Sequence, residues 1–154
     1  MPLRQIDDRR PVEPLAGVGT SVEHLLDDPA EEIGAVGEGL AYTPFSPLAN
    51  GLLAGRYSNG ERPAPGSRAS VASRSAHLLD DPATVAKLRE FDRIAETQEV
   101  TPAGLALGWL LNHPVVTAPI VSVSKESQWQ GIHDALTLKW TGTVGELLDE
   151  VFGR

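Results

Sequence analysis

Apolar residues in the second half of the chain recur at helical spacing. Val85, Leu88, Phe91 and Ile94 fall every three residues and line one face, behind the start signal Asp81-Pro82. Thr101-Pro102 opens a further helix carrying Leu105, Leu107, Trp109, Leu110 and Leu111, and Asn112-His113-Pro114 stops it. That helix is apolar nearly all round and expects burial on several sides. Ser124 reads as the cap of another, with Trp129, Ile132 and Leu136 on one side. Thr143-Val144-Gly145-Glu146 is a capping-box pattern for a last helix bearing Leu147, Leu148, Val151 and Phe152.

Two shorter apolar runs read as strands, Leu40 to Pro44 and Val115 to Val123, the latter centred on Ala118 to Val121. Leu15 to Val22 is a candidate third. Between them, Arg56 to Ala76 is rich in Ser, Pro, Gly and Arg and reads as a long loop. Residues 1–38 mix Pro, Gly and charge as a leader, with a short helix begun at Asp28-Pro29. The order of strand, loop, helices, strand, helices predicts a parallel α/β architecture. His24–Ala30 recurs letter for letter at His77–Ala83; this is either one helix-start phrase used twice or a local duplication.

Composition narrows the function classes. The formal net charge of −8 opposes nucleic-acid or anionic-membrane binding, which needs clustered Lys and Arg. The absence of cysteine excludes disulfides and Cys-based metal sites and fits a reducing compartment, here read as the cytoplasm. No stretch reaches the roughly 20 apolar residues of a membrane span, and Met1–Asp8 lacks the apolar core of a signal peptide. His24, His77, His113 and His133 are scattered without metal-ligand spacing, so no metal is expected.

The chemistry-bearing segment is Phe45-Ser46-Pro47-Leu48-Ala49-Asn50-Gly51, directly after the first strand candidate. An aromatic, a hydroxyl and the amides of a Pro/Gly loop suit a flat ring and a phosphate. The alternatives are a core Phe45 and an ordinary turn. Arg56, Arg62, Arg68 and Arg74 in the long loop either close over a phosphate or keep that loop soluble.

These residues resemble the seventh-strand loop of aldo-keto reductases, spelled aromatic-Ser-Pro-Leu-x-x-Gly-x-Leu. Gly66-Ser67-Arg68 resembles the segment that follows it. Val100 to Leu111 is similar to the family's T-P-A-Q-L-A-L-A-W-L-L helix. Pro119 to Lys125 with Gln128-Trp129 resembles the eighth strand and its cofactor loop, and Ala135-Leu136 also matches. The resemblance implies an incomplete (β/α)8 TIM-barrel fragment over residues 39–154, with two or three parallel strands and four to five helices. It implies an NAD(P)H-dependent carbonyl or aldehyde oxidoreductase. NADPH, or NADH, would be held by Phe45, Ser46, Pro47, Leu48, Asn50, Gly51, Ser122, Ser124 and Gln128. Phe45 would stack on the nicotinamide, the loop would cradle the pyrophosphate, and the last three would lie near the adenosine phosphate. Ser124, on its own chemistry, is equally a helix cap.

The departures are specific. Gly131 and Ile132 stand where relatives carry Glu-Asn or Asp-Asn, Ser124 where many place Arg, and Ser122 where Gly or Lys is common. The family's catalytic Asp, Tyr, Lys and His belong to the N-terminal half of the barrel and match nothing here. The lysines are Lys87, Lys125 and Lys139, and the tyrosines Tyr42 and Tyr57. A catalytic role would thus need a complementing barrel half. The alternatives are a non-catalytic nucleotide-binding module, a homo-oligomeric interaction module, or a truncated gene remnant.

Overall fold

The computed structural model of the protein describes residues 43–71, 73–113 and 116–152. The leader over 1–38, the helix start at Asp28-Pro29, the Leu15 to Val22 candidate, the first copy of the repeat and Leu40 to Tyr42 lie outside these residues.

After a 3-10 turn, Ala49–Ala54, come α1 (Arg68–Val71), α2 (Ser73–Leu78), α3 (Pro82–Thr97) and α4 (Pro102–Asn112). A second 3-10 turn, Glu126–Gln128, leads into α5 (Trp129–Thr137), and α6 (Gly142–Phe152) follows. The expected parallel strands do not form: among the described residues there is no sheet, and the α/β barrel-fragment architecture is overturned in favour of packed helices. Between residues 43–45 and 117–123 the Ile120 N–H donates to the Pro44 carbonyl at 2.9 Å, but no strand longer than an isolated bridge residue is formed there. Pro44 and Pro119 each remove a ladder donor from these segments. Isolated bridging between proline-interrupted segments is too little pairing for a sheet.

The long-loop expectation for Arg56 to Ala76 holds over 56–67 and is corrected beyond it. The chain turns helical at α1 and α2, and Ala69 and Leu79 are buried there. Arg62 is tied back to Asp80 by an ion pair of 2.5 Å.

Helices α3 and α4 lie where their patterns predicted. The Asp81 carboxylate caps α3, accepting from the Ala83 and Thr84 amides at 3.0 and 3.2 Å, and Pro82 occupies the first turn. Leu88, Phe91 and Ile94 are buried from this one face. Each such side chain contributes about 1.5–3 kcal/mol. Phe91 meets Phe152 of α6 at 6.0 Å between ring centroids. Thr101 caps α4 through its hydroxyl, which accepts the Gly104 amide at 3.1 Å.

The closest packing is between α4 and α5, and glycines make it so. A Cβ at Gly104 would lie 2.4 Å from Asp134 Cβ, one at Gly108 2.8 Å from Leu138 Cδ2, and one at Gly131 2.9 Å from Ala103 Cβ. The backbones therefore approach more closely than any side chain there would permit. This inverts the face predicted for α5. Its buried residues are Gly131, Asp134 and Ala135, while Trp129 and Leu136 are 58% and 72% exposed. Helix α6 starts earlier than its capping-box pattern implied: the Thr141 hydroxyl, not Thr143, receives the Val144 amide at 3.4 Å.

Candidate functional site

The two segments that the motifs single out meet at the Ile120–Pro44 bond. Phe45 follows Pro44 directly, so that bond joins the root of the Phe45–Gly51 loop to the root of the segment carrying Ser122, Ser124 and Gln128.

The first loop is held in a costly backbone. Ser46, Ala49 and Asn50 have φ of 52°, 47° and 55°, followed by Gly51 at 100° and Gly55 at 72°. Left-handed φ costs an ordinary L-residue roughly 1–2 kcal/mol, and such clusters gather at functional sites. The loop is anchored below by Pro44, Ala49 and Leu52, all fully buried. Pro47 is buried and Leu48 packs at the edge of the core. Phe45, by contrast, is half exposed at 50%. A core role for its ring is therefore set aside. Nothing lies within 4 Å of the Cβ position of Gly51, so the backbone there is open to close approach.

The loop spends part of its own hydrogen-bonding capacity. The Ala49 amide donates to the Ser46 carbonyl at 2.9 Å, and the Gly51 and Leu53 amides donate to the Leu48 carbonyl at 2.8 and 3.3 Å. A phosphate bound here would use amides other than those three.

The second segment is built around Gln128. Its side-chain oxygen accepts the Ser124 amide at 2.7 Å and the Lys125 amide at 3.1 Å, with the Ser124 hydroxyl at 3.3 Å. In return the Gln128 amide donates to the Lys125 carbonyl at 3.1 Å. Ser124 is not a helix cap: it is bound by the Gln128 side chain ahead of a 3-10 turn, and α5 begins at Trp129. Ser122, Ser124 and Lys125 are all exposed.

Asp134 carries no sequence signal of the usual kind, yet it fixes α5. It is 7% exposed, accepts the Thr101 amide at 2.8 Å and is met by Gln130 Nε2 at 2.6 Å. Burial pushes its carboxyl up, but the bonds from Thr101 and Gln130 and the nearby His133 outweigh this and hold it below its ordinary range. The available clue was its place on the same helix face as Gly131 and Ala135. Asp92 on α3 behaves oppositely: burial raises its carboxyl, and a bond from Ser58 offsets this only in part.

Tyr57 is buried as part of the core. No group of His, Cys, Asp and Glu among the described residues could hold a metal ion. Nor does any helix there have the length and apolarity to cross a membrane.

The chain belongs to the Aldo/keto reductase family, whose profile matches residues 25–151. It is similar to a probable voltage-gated potassium channel subunit beta of Oryza sativa subsp. japonica, 38% identical over 95 residues, which are 58% of this chain and 28% of that protein. The protein of the same description from Arabidopsis thaliana is 36% identical over 97 residues, 60% of this chain and 28% of the relative. The uncharacterized oxidoreductase YrpG of Bacillus subtilis is 27% identical over 118 residues, 74% of this chain and 32% of the relative. The chain thus matches about a third or less of the length of each of these relatives.

Proposed function

We propose that this chain supplies the nicotinamide-nucleotide-binding part of an aldo/keto reductase-type oxidoreductase. The observation that carries the reading is the Ile120–Pro44 bond, which brings the Phe45–Gly51 and Ser122–Gln128 segments together at their roots. Phe45 would stack on the nicotinamide, the open backbone at Gly51 would admit the pyrophosphate, and the Ser122–Gln128 turn would face the adenosine phosphate. The nucleotide, when bound, supplies a hydride for reduction of a carbonyl. The residues of this chain bind and orient it; the proton donor and its activating partners would come from a complementing polypeptide.

A melt followed by circular dichroism, with and without millimolar NADPH or NADH, tests the reading. Saturation at roughly 100-fold over Kd raises the unfolding free energy by about 2.7 kcal/mol. An upward shift of the midpoint with either nucleotide supports binding; an unmoved midpoint with both defeats it.

A second reading, an interaction module, is favoured by the exposed Ile120 and Val121, at 59% and 40%, beside the half-exposed Phe45. The two plant relatives are themselves described as channel subunits. Light scattering across a concentration series tests this second reading: concentration-dependent self-association supports it, and a monodisperse monomer with no nucleotide affinity removes it.

A further inference from the structure

The apolar side of α5 is turned to solvent, and we infer that a second copy of this chain covers it in an antiparallel α5–α5 pair. The inference deepens the interaction-module reading above and rests on it, but it uses a different surface from Phe45, Ile120 and Val121.

Helix α5 packs on α4 with its small side, through Gly131, Asp134 and Ala135. Trp129, His133 and Leu136 stand on the opposite side at the i, i+4, i+7 spacing of one helix face, with Ile132 flanking them. Trp129 is 58% exposed and Leu136 72%; His133 is also exposed and Ile132 is partly buried. Large apolar side chains scattered singly over a surface need no explanation, whereas a contiguous ridge of them marks a contact face. Trp is among the residues most enriched at the energetic centre of such faces.

The charges at the two ends of the ridge identify the occupant. Glu126 is exposed in the 3-10 turn ahead of α5, and Lys139 is exposed just past Leu138 at the other end. Each stands three positions outside the apolar pair, Glu126 beyond Trp129 and Lys139 beyond Leu136. Two copies of α5 laid antiparallel, with a two-fold axis between Ile132 and His133, set each Trp129 against the partner's Leu136. The same alignment sets each Glu126 against the partner's Lys139. Apolar matches and opposite charges thus fall together under one symmetry operation, as a self-complementary contact requires. A parallel pair would instead oppose Glu126 to Glu126 and Lys139 to Lys139. Lys125 falls opposite Trp140 in the antiparallel alignment, not opposite a cation.

Sedimentation velocity and light scattering over a concentration series test the pairing. Interfaces below about 1,200 Å² form weak pairs. The net charge of −8 on each copy opposes association when unscreened, so physiological salt is used. Wild type is expected to pass from monomer to dimer, with no larger species. Leu136→Glu, at a site too exposed to disturb folding, should weaken the dimer at least about tenfold. Glu126→Lys and Lys139→Glu should each weaken it by bringing like charges together, and the double variant should recover wild-type association. Ile120→Glu should leave it unchanged. A wild type that stays monomeric overturns the inference, as does a dimer untouched by Leu136→Glu or a double reversal without rescue. Association abolished by Ile120→Glu alone overturns it too, while the interaction-module reading stands on its original surface. Acrylamide quenching of wild type and Trp129→Phe identifies the other occupant: a monomer with Trp129 shielded has residues 1–42 of its own chain on this face, and pairing with a second copy is then excluded.

Discussion

The carboxylate of Asp134 in α5 accepts the backbone N–H of Thr101, the cap of α4, at 2.8 Å across 33 positions of chain. The first turn of a helix leaves amides without partners inside the helix. Here one of the amides at that end is satisfied by a buried anion on the neighbouring helix, where the positive end of the helix dipole also favours negative charge. The Thr101 hydroxyl then turns inward to the Gly104 amide. Capping and helix packing are thereby one interaction.

Asp134→Ala leaves the Thr101 amide and Gln130 without their acceptor. The expected loss is about 2–3 kcal/mol, the usual scale for bonds to a charged group. Asp134→Asn keeps one acceptor and should lose less. Urea unfolding at neutral pH measures both; equal stability of wild type and Asp134→Ala would show that the bond does not hold the helices together.

The two shifted carboxyls give pH dependences of opposite sign. Asp134 is held below its unfolded value, so its contribution is present above the ordinary carboxylate range and is lost as pH falls through the depressed folded value. Asp92 is raised by burial, so its ionisation opposes folding at neutral pH, and that penalty disappears on acidification. Asp92→Asn is therefore expected to melt higher than wild type near pH 7 and level with it at strongly acidic pH. Melts across that range check the sign; a lower midpoint for the variant at pH 7 would contradict it.

Gly104→Ala should meet the closest steric clash of any added methyl at the described glycines. The added carbon would sit 2.4 Å from Asp134 Cβ, which belongs to a side chain bonded on both sides and unable to move away. Overpacking of this kind costs roughly 1–3 kcal/mol and sometimes more. Gly142→Ala, where nothing lies within 4 Å, is the matched control and should be close to neutral. Denaturant midpoints of the pair measure the difference.

Phe45→Ala separates binding from folding. A ring that is half exposed contributes little to the core, so the melting temperature should hardly change. If the ring stacks on the nicotinamide, affinity for NADPH falls severalfold, in line with about 1 kcal/mol for an aromatic contact. A variant that binds as tightly as wild type would remove Phe45 from the site.

Much of the helical part was legible in the residues alone. Asp81-Pro82 and Thr101-Pro102 cap and start their helices through atoms within a few positions of each other, so neither needs a distant partner. The three-residue spacing of Leu88, Phe91 and Ile94 names the buried face of α3 for the same reason: the period is a property of the helix. The Phe45–Gly51 loop was likewise recognisable, and its strained backbone and exposed ring add reasons to look there that the motif did not contain.

What local pattern left undecided turned on partners far along the chain. Val115 to Val123 has strand-like composition, yet a strand is made by its neighbours, and among the described residues no ladder forms around the Ile120 bond to Pro44. Trp129, Ile132 and Leu136 marked the apolar side of α5, but glycines on both helices allowed the opposite, smaller side to dock closely, and Asp134 went into the interface with its bonds already met. Gln128 matched a family position; that its oxygen was consumed by Ser124 and Lys125 depended on how the turn folded back. Periodicity and caps are readable from the residues because their causes are local, whereas pairing, close approach and the use of each polar atom depend on groups that meet only once the chain has folded.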